Sequence, residues 1–503
     1  MITTTNVSDC VDIFIVGGGV NGCGIARDAA GRGASVILAE QGDLAQATSS
    51  ASTKLFHGGL RYLEYYEFRL VRESLIERER LLTAMPHISW PMRFVLPHHK
   101  GLRPKWLIRL GLFMYDYIGG RKILPATRVL DLRSHLTGKA LRSEFTKGFE
   151  YSDCWVQDAR LVTLNARDAK ERGANIMTRT RVLGAKRQQD CWVVKVEDVE
   201  TKQTHEYRAK ALVNAAGPWV SDVIENRLGI NSREKTRLVR GSHIVTKRLF
   251  DHDQPYIFQG GDNRIVFAIP YEDDFTLIGT TEAEHDGPPG NAVCSDEEAQ
   301  YLCDFVSDYF NFTVTMDDII WRYSGIRPLY DDGASSATEA TRDYVLSLLT
   351  EGGAPLLNIF GGKITTYRHL AEEALKKLAT TIPLPDKPWT AGVPLAGGDF
   401  AVGDVGKLIQ DLQSEFDFLT VPWARRLIRT YGTEAAQILG TAISAKDLGQ
   451  DFGATLSEAE VRWMMVNEFA QTAEDVLWRR TKLGLRLSKE QAQVLSLWMG
   501  KNQ

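Results

Sequence analysis

The feature that most constrains this chain is a short apolar run followed at once by closely spaced glycines. Residues Val11 to Val16 read VDIFIV, which predicts a buried parallel strand. Gly17, Gly19 and Gly22 follow with the spacing G-x-G-x-x-G. Val20 to Ala30 then has the composition of a helix. The pattern therefore predicts a strand, a tight glycine turn and a helix in direct succession.

A second strand and an acidic residue complete this unit. We predict the strand over Ala34 to Leu38, and Glu40 lies 18 residues beyond Gly22. An acid at that place accepts hydrogen bonds from ribose hydroxyls, while the N-terminus of the preceding helix binds phosphates. The order of elements predicts a dinucleotide site that includes Gly17, Gly19, Gly22 and Glu40. The alternative is a glycine-rich structural turn, which leaves Glu40 without a role.

A loop rich in small hydroxyl residues follows, over residues 45–62. Its Ser49, Ser50, Ser52 and Thr53 can donate hydrogen bonds to a pyrophosphate or to a flavin ring edge. Taken without context, a loop of this composition is usually just solvated. The glycine unit alone does not show whether the dinucleotide is FAD or NAD. Because this loop stands where a further αβ unit could follow, it favours FAD.

Composition excludes several classes of protein. The length of 503 residues predicts two to four domains. The formal net charge of −4 does not favour a nucleic-acid partner. Six cysteines are scattered with no CxxC pair, so we expect no disulfide, no metal site and no iron–sulfur cluster. The sequence has no apolar stretch long enough for a membrane span and no secretory signal, so we expect the chain to stay in the cytosol.

Several motifs together resemble one family. Residues 49–73 read SSASTKLFHGGLRYLEYYEFRLVRE, and GGGVNG stands at 17–22. The combination resembles the bacterial aerobic, FAD-dependent glycerol-3-phosphate dehydrogenases of the D-amino-acid-oxidase superfamily. The resemblance covers nearly the whole chain, and departures lie mainly in 121–146 and 379–415. Further matching runs are FEYSDCWVQDARL (149–161), LVNAAGPWV (212–220), GSHIV (241–245), YSGIRPL (323–329), TRDY (341–344) and FGGKITTYR (360–368).

The resemblance and the residue patterns together predict an α/β flavoprotein with three parts. These are a discontinuous Rossmann-type FAD domain, an antiparallel β-sheet domain that forms the substrate-binding cap, and a C-terminal all-helical domain. The predicted ranges are 1–85, 150–225 and 325–385 for the FAD domain, 86–149 and 226–324 for the cap, and 390–503 for the helical domain.

Two later segments return to the FAD in this prediction. The strand that ends at Asn214 runs into AAGPWV, where Gly217 allows close backbone approach. The apolar run PLLNIF is followed by two glycines and an amphipathic helix, whose N-terminus can direct N–H groups at a flavin carbonyl. The predicted cofactor residues of this last segment are Gly361, Gly362, Lys363, Ile364 and Thr365.

Arg61, Arg327 and Arg342 lie in apolar or glycine-rich surroundings that do not suit surface charges. Guanidinium groups bind phosphate oxygens in pairs. The resemblance implies that Arg61 and Arg342 bind a substrate phosphate. It also implies that Arg327 stabilises a developing alkoxide, that His243 is a candidate base, and that Lys363 compensates negative charge on the reduced flavin. The alternatives are structural ion pairs for the arginines and a structural role for the histidine.

A basic block with interleaved aromatic residues spans residues 93–128. It carries eight Lys and Arg against a single acid, Asp116, which gives a local charge of +7. Such a block predicts a surface helix in an anionic headgroup layer, where each cation contributes about 1 kcal/mol. An internal basic helix or a dimer contact is the alternative. The predicted membrane residues are Arg103, Lys105, Trp106, Arg109 and Phe113.

The resemblance and the basic block together imply a respiratory enzyme on the inner face of the cell membrane. It would oxidise sn-glycerol 3-phosphate to dihydroxyacetone phosphate by hydride transfer to FAD, and then reduce ubiquinone or menaquinone. We expect a peripheral protein on anionic phospholipid, a homodimer, and no nucleic-acid partner. Two alternatives stay open. One is a glycerol-3-phosphate oxidase that passes electrons to O2 and forms peroxide, and the other is a non-catalytic flavin-binding membrane scaffold.

Overall fold

The computed structural model describes residues 10–188, 190–232, 234–260, 264–331, 343–385 and 387–502. Arg342, which the resemblance assigns to phosphate binding, lies outside the described residues. The strands are β1 Val11–Val16, β2 Val36–Ala39, β3 Leu55–Phe56, β4 Ser89–Pro97, β5 Arg128–Asp131, β6 Lys147–Val156, β7 Asn175–Met177, β8 Thr180–Gln188, β9 Cys191–Asp198, β10 Thr204–Asn214, β11 Thr236–Lys247, β12 Tyr256–Gln259, β13 Ile265–Tyr271, β14 Phe275–Gly279, β15 Ala283–Glu284, β16 Ile319–Tyr330, β17 Val345–Leu349 and β18 Leu356–Phe360. The α-helices are α1 Val20–Gly31, α2 Phe68–Ala84, α3 Lys105–Tyr117, α4 Asp158–Glu171, α5 Val220–Asp222, α6 Asp296–Ser307, α7 Tyr367–Leu378, α8 Val405–Glu415, α9 Val421–Tyr431, α10 Ala435–Leu439, α11 Glu458–Asn467 and α12 Lys489–Lys501.

The predicted dinucleotide unit is formed by β1, α1 and β2. Strand β1 lies inside an eight-stranded sheet whose order is β17-β18-β10-β1-β2-β7, and the β8–β9 hairpin extends this sheet from β10. Strand β1 pairs in parallel with β2 and β10, and β10 pairs in parallel with β18. Because the carboxyl ends of parallel strands meet at one edge of a sheet, the segments after β1, β10 and β18 lie along the same edge.

Burial on both faces explains the continuous apolar sequence of β1. Ile13 and Ile15 pack in a cluster with residues of α1, α4 and α7. Phe14 packs on the opposite face, in a cluster that includes Trp192 and Val194 of the β8–β9 hairpin. Each large apolar side chain buried in this way contributes about 1.5–3 kcal/mol. The strand therefore gives the glycine turn a rigid support.

A second sheet of ten strands confirms the predicted antiparallel cap. Its order is β15-β11-β14-β13-β12-β4-β6-β3, with β16 beside β11 and β5 beside β6. Strands β6 and β16 both belong to this sheet, so the predicted boundaries at 149/150 and 324/325 cut through strands. The predicted ranges are corrected here, because the hydrogen bonds of a strand hold its whole length in one sheet.

The C-terminal all-helical domain is also confirmed. Helices α8 to α12 pack around a hydrophobic core of their own. Buried ion pairs join this domain to the FAD domain: Arg160 donates to Glu468 at 2.9 Å, and Arg480 donates to both oxygens of Asp43 at 2.7 Å. Arg479 also donates to Asp43, at 2.5 Å. We call these five residues the junction.

The basic block is a surface helix only in part. Arg93 lies in β4 and pairs with Glu150 at 2.6 Å, and Arg128 contacts the same carboxylate from β5. Helix α3 exposes its apolar residues, with Trp106 at 68% and Phe113 at 52%. Across the described ranges, no helix has the length and apolar character that crossing a bilayer would need.

Candidate active site

The glycine turn after β1 is fixed by backbone contacts that leave no room for larger residues. Gly17 has φ = +109°, and a Cβ there would lie 2.6 Å from the carbonyl oxygen of Ala215. A Cβ on Gly22 would lie 2.0 Å from the carbonyl oxygen of Gly17. Gly19 is the residue before the first turn of α1. The backbone N–H groups of that turn are therefore available to bind a phosphate.

Glu40 follows β2 and holds the same turn. Its carboxylate oxygens accept hydrogen bonds from the backbone N–H groups of Gly18 at 2.7 Å and Gly42 at 2.8 Å. Burial raises the pKa of Glu40 above its usual value, although these hydrogen bonds favour the charged form. A carboxylate keeps further lone pairs when it accepts two hydrogen bonds. Its role toward ribose hydroxyls stays a prediction.

The four hydroxyls that the sequence groups together separate in the structure. Ser49 Oγ accepts a hydrogen bond from the N–H of Val20 at 3.0 Å, so it lies at the start of α1. Ser50 donates to the carbonyl of Ala47 at 3.3 Å. Ser49 is therefore directed toward the glycine turn, whereas Ser50 is engaged within its own loop.

Ser52 and Thr53 turn toward the protein interior. Ser52 donates to the carboxylate of Asp158 at 2.7 Å, and that carboxylate also pairs with Lys54 at 2.9 Å. The hydroxyl of Thr53 lies 2.9 Å from Nε2 of His243. Both hydroxyls therefore have partners within the protein, and their use toward a pyrophosphate or a flavin ring edge stays a prediction.

His243 is held in a fixed direction by its neighbours. It is buried, its Nε2 meets Thr53, and its ring stacks on Tyr323 with centroids 4.8 Å apart. Burial, followed by the charges of Arg327 and Lys54, lowers its pKa well below the usual value. The imidazole is therefore neutral, as a base must be before it accepts a proton. Its role as the catalytic base stays a prediction.

Arg327 and Lys363 come from different elements and act on one imidazole. Burial, together with the positive charges of Lys363, Arg78 and Arg327, lowers the pKa of His57 to about 3. Arg327 belongs to β16 of the cap, whereas Lys363 follows β18 of the FAD domain. The cap sheet and the FAD-domain sheet each contribute one positive charge near the imidazole of His57. We call Arg327, Lys363 and His57, with the neighbours Tyr62 and Thr280, the cation site.

The neighbours of these two cations fix their directions. Arg327 donates to the hydroxyl of Thr280 at 3.0 Å and lies 3.6 Å from the carboxylate of Glu282. Lys363 Nζ lies 3.8 Å from the centre of the Tyr62 ring, within range of a cation–π interaction. The site thus combines positive charge with a hydroxyl and an aromatic face.

Arg61 lies next to Tyr62 on a short 3-10 helix over Leu60–Tyr65. Its guanidinium donates to the hydroxyl of Tyr65 at 3.3 Å. Tyr65 is exposed, so Arg61 points toward the rim of the site. A role in binding a phosphate stays a prediction for Arg61.

The later glycine segments lie at the sheet edge that also carries the glycine turn. Gly217 follows β10 with φ = +55°, and a Cβ there would meet no atom within 4 Å. Gly361 and Gly362 follow β18 with φ of +71° and +102°. Asn21 of α1 donates to the carbonyl of Gly361 at 3.2 Å, which ties this segment to the glycine turn. The three turns form a backbone cradle with few side chains, which fits an extended dinucleotide such as FAD.

Ile364 and Thr365 lie in a 3-10 helix over Ile364–Thr366, directly before α7. The hydroxyl of Thr365 accepts a hydrogen bond from the N–H of His57 at 3.2 Å. This contact links the last predicted cofactor segment to the cation site.

Sequence reasoning missed Asn21, Tyr62, Thr280 and Glu282. Asn21 and Tyr62 stand inside runs that the resemblance already used, GGGVNG and HGGLRYLE, so their positions carried a usable signal. Thr280 and Glu282 follow β14, and only the pairing of β14 with β11, which in turn pairs with β16, brings them to Arg327.

These features define a flavin-dependent oxidoreductase, and comparison with known proteins agrees. The family model described as FAD dependent oxidoreductase matches residues 12–368. The model described as the C-terminal domain of alpha-glycerophosphate oxidase matches residues 388–497. The chain belongs to the FAD-dependent oxidoreductase family, and FAD is its cofactor, as predicted.

Particular relatives narrow this class. The chain is 49% identical to D-erythritol 1-phosphate dehydrogenase of Brucella abortus, over 97% of both chains. It is 47% identical to aerobic glycerol-3-phosphate dehydrogenase of Escherichia coli, again over 97% of both. The crystal structure of glycerol-3-phosphate dehydrogenase from Bacillus halodurans complexed with FAD superposes with a TM-score of 0.78 at 26% identity, covering 98% of this chain and 91% of that one. The predicted resemblance is confirmed.

Proposed function

We propose that this enzyme oxidises the secondary alcohol of sn-glycerol 3-phosphate to dihydroxyacetone phosphate. The observation that carries the proposal is the proximity of the segments that hold Arg327 and Lys363, which come from two different sheets. A Cβ on Gly361, two residues before Lys363, would lie 3.6 Å from the carbonyl oxygen of Pro328, the residue after Arg327. A substrate that carries a phosphate, and whose alcohol becomes anionic as it loses a proton, suits such a site. The relative in Escherichia coli supports this choice of substrate. FAD supplies the hydride acceptor when it is bound.

Each side chain has a distinct role in this proposal. Arg327 stabilises negative charge on the alcohol oxygen as its proton leaves. Lys363 compensates negative charge near the reduced cofactor, and the ring of Tyr62 holds its ammonium group in place. Arg61 and Arg342 are assigned to the phosphate by resemblance. His243 remains the candidate base, with the hydroxyl of Thr53 at its Nε2.

A longer polyol phosphate is the second candidate substrate. The 49% identity to D-erythritol 1-phosphate dehydrogenase, over nearly the full length, favours it independently. Both substrates combine a phosphate with an oxidisable alcohol, so the same cations can serve either. The extra carbon and hydroxyl would have to be accommodated beyond Arg327, which only a direct comparison of the two substrates can test.

The test is anaerobic reduction of the purified yellow protein. We expect sn-glycerol 3-phosphate to bleach the visible flavin absorbance within one turnover, and glycerol without phosphate to leave it unchanged. D-erythritol 1-phosphate is added in a parallel reaction, and faster bleaching by it would replace the first candidate with the second. If neither phosphate bleaches a protein that dithionite does reduce, both candidates are wrong.

We also propose that the enzyme passes its electrons to a membrane quinone while it lies on an anionic phospholipid surface. Exposed Trp106, Phe113 and Tyr117 project from α3, and Lys105 is exposed at its start. Aromatic and basic residues on one surface helix suit the headgroup region. Arg103 pairs with Glu64 at 3.1 Å and Arg109 donates to Thr127 at 2.6 Å, so these two cations contribute less than predicted.

Flotation with vesicles of phosphatidylcholine and phosphatidylglycerol tests this surface. We expect Trp106→Ser with Phe113→Ser to weaken binding by about tenfold or more, since two large apolar contacts are lost. Val494→Ser with Leu497→Ser removes two exposed apolar residues from α12 and serves as the matched control. Equal binding by both double variants would contradict the membrane role of α3.

Oxygen is the alternative electron acceptor, and one of the matching family models takes its name from an oxidase. The two acceptors are separated by the products of turnover. Quinone reduction without matching peroxide supports the dehydrogenase, whereas stoichiometric peroxide identifies an oxidase. A flavin-binding scaffold would give neither. A homodimer is proposed as well, and sedimentation equilibrium in detergent measures it.

A further inference from the structure

Two cysteines that are far apart in the sequence meet in the FAD-domain sheet, where β1 and β9 flank β10. Cys10 directly precedes β1 and Cys191 begins β9, 181 residues later. Their Sγ atoms lie 2.6 Å apart, and both residues are half-buried. Both are free cysteines, and their spacing in the sequence does not predict this contact.

The sheet topology explains the meeting. Strands β1 and β9 both pair with β10, on opposite sides. Val11 lies opposite Ala209, and Ala209 lies opposite Trp192 on the far side. Continuing each register by one residue places Cys10 beside Arg208 and Cys191 beside Lys210. The two cysteines therefore flank the middle of β10 from its two sides, and their Sγ atoms meet there.

The other four cysteines have a different environment. Cys23, Cys154, Cys294 and Cys303 are all buried. Half-buried Cys10 and Cys191 are the pair that combines contact with access to small reagents. Contact with a second thiol and access for an oxidant are the two geometric conditions for forming a disulfide.

We propose that Cys10 and Cys191 form a reversible disulfide that ties the start of β1 to the β9–β10 hairpin. The two thiols lose two protons and two electrons as the S–S bond forms. Hydrogen peroxide is the oxidant: its O–O bond breaks, and it leaves as two water molecules. A dithiol reductant returns the electrons and the protons and reopens the bond.

The surroundings of Cys10 set the conditions for this reaction. Burial and the neighbouring Cys191 raise the pKa of Cys10 to about 11, while the charges of Arg208 and Lys210 act in the opposite direction. The thiolate is the reactive form, so it is scarce at neutral pH. Oxidation is therefore carried out with excess peroxide over a time course, and not with one equivalent.

The cross-link has a consequence for the cofactor. Strand β1 carries the glycine turn at its other end, where Gly17 follows Val16 directly. A covalent tie at the start of β1 restricts the separation of this strand from β10. The oxidised protein is therefore expected to retain FAD to a higher temperature than the reduced protein.

Peptide mapping of the wild-type holoenzyme tests the bond without any substitution. After peroxide treatment and alkylation under denaturing conditions, we expect a peptide containing Cys10 linked to one containing Cys191. The number of alkylated thiols should fall from six to four and return to six after dithiothreitol. Full alkylation of both cysteines after peroxide, or linkage of either one to a different cysteine, would overturn the proposal.

Two single variants test the consequence for FAD. Cys10→Ser and Cys191→Ser each leave one thiol and cannot form the bond. FAD fluorescence during heating should rise at a higher temperature in oxidised than in reduced wild-type protein, and at one temperature in both redox states of each variant. An equal shift in the variants would show that peroxide acts elsewhere, and no shift in the wild type would refute the effect on FAD retention.

Discussion

The junction and the cation site are both rich in positive charge, yet they differ in how that charge is enclosed. At the junction, Arg480 is fully buried and donates to both oxygens of Asp43. At the cation site, the side chain of Arg327 is 28% exposed, and it meets a hydroxyl at 3.0 Å and a carboxylate at 3.6 Å. The guanidinium of Arg480 is shielded from solvent with its carboxylate partner, whereas the side chain of Arg327 is partly exposed.

The difference separates two uses of arginine that the sequence cannot distinguish. When one partner of a buried ion pair is removed, the other charge stays buried without compensation. An accessible guanidinium held in a fixed direction contributes little to stability and can stabilise charge that develops in a reaction. Variants at the two places should therefore change different measured quantities.

The largest expected effect is at the junction. Arg480→Met leaves one oxygen of Asp43 without its guanidinium partner, and we expect the free energy of unfolding to fall by about 3–5 kcal/mol. Turnover of the protein that remains folded should change less than about twofold. Denaturant unfolding measures the first quantity, and an assay corrected for FAD content measures the second. Arg462→Met, which breaks an exposed pair with Glu458, is the control, and an equal loss there would contradict the distinction.

Arg327→Met tests the other side of the comparison. Loss of the guanidinium should lower kcat by about 100- to 1000-fold, equivalent to about 3–4 kcal/mol of transition-state stabilisation. Denaturant unfolding and FAD content should stay close to the wild type. Arg322→Met removes an exposed arginine from the same strand, and it should retain full activity. Retained turnover in Arg327→Met would remove this residue from the proposed chemistry.

Acidification should weaken the region next to the junction through His87. Burial, followed by the charges of Arg160 and Arg429, lowers the pKa of His87 to about 3, whereas an unfolded histidine titrates near about 6.5. As the pH falls, the unfolded chain takes up the proton first. The contribution of neutral His87 to the free energy of unfolding is therefore complete above about pH 6.5 and is lost progressively toward about pH 3.

Between about pH 6.5 and about pH 5 this loss amounts to about 2 kcal/mol. In His87→Leu we expect unfolding free energies at these two pH values to differ by correspondingly less than in the wild type. Urea unfolding at both values measures the difference. An unchanged difference would mean that other groups cause the acid sensitivity.

The smallest expected effect concerns the glycine turn. Ser49→Ala removes the acceptor for the N–H of Val20, a change that costs about 1 kcal/mol at a helix start. If the start of α1 binds FAD, this loss of stability corresponds to a fall in FAD affinity of roughly fivefold. Ser50→Ala is the matched control, because that hydroxyl bonds within its own loop. Titration of the apoprotein with FAD measures both, and equal losses would contradict the separation of the two hydroxyls.

The β1–α1–β2 unit could be predicted because its signals are local. The strand was placed at Val11 to Val16, as the structure has it, and α1 ends at Gly31, one residue later than predicted. Hydrophobic run, glycine spacing and helix composition all act over fewer than about ten residues.

Side-chain direction at the site could not be predicted, because it depends on partners far away in sequence. Thr53 and His243 are 190 residues apart, and their contact fixes the direction of both side chains. Ser52 stands three residues from Ser49, yet Asp158 draws it inward. Arg93 and Arg128 contribute to the local charge of +7 of the basic block, but Glu150 on β6 forms ion pairs with both. Such contacts arise only when the two sheets assemble.

The junction also determines how the polypeptide can be divided. Asp43, Arg160, Arg167 and Arg179 all precede the helical domain, and their partners lie between Glu434 and Arg480. A protein cut before residue 388 would retain a carboxylate and three guanidinium groups that evolved to be shielded, on a surface newly opened to water. Recombining the amino-terminal part of one family member with the helices of another would succeed only where these charges match. Exchange of the helical domain between relatives therefore requires that both parts keep these charged partners.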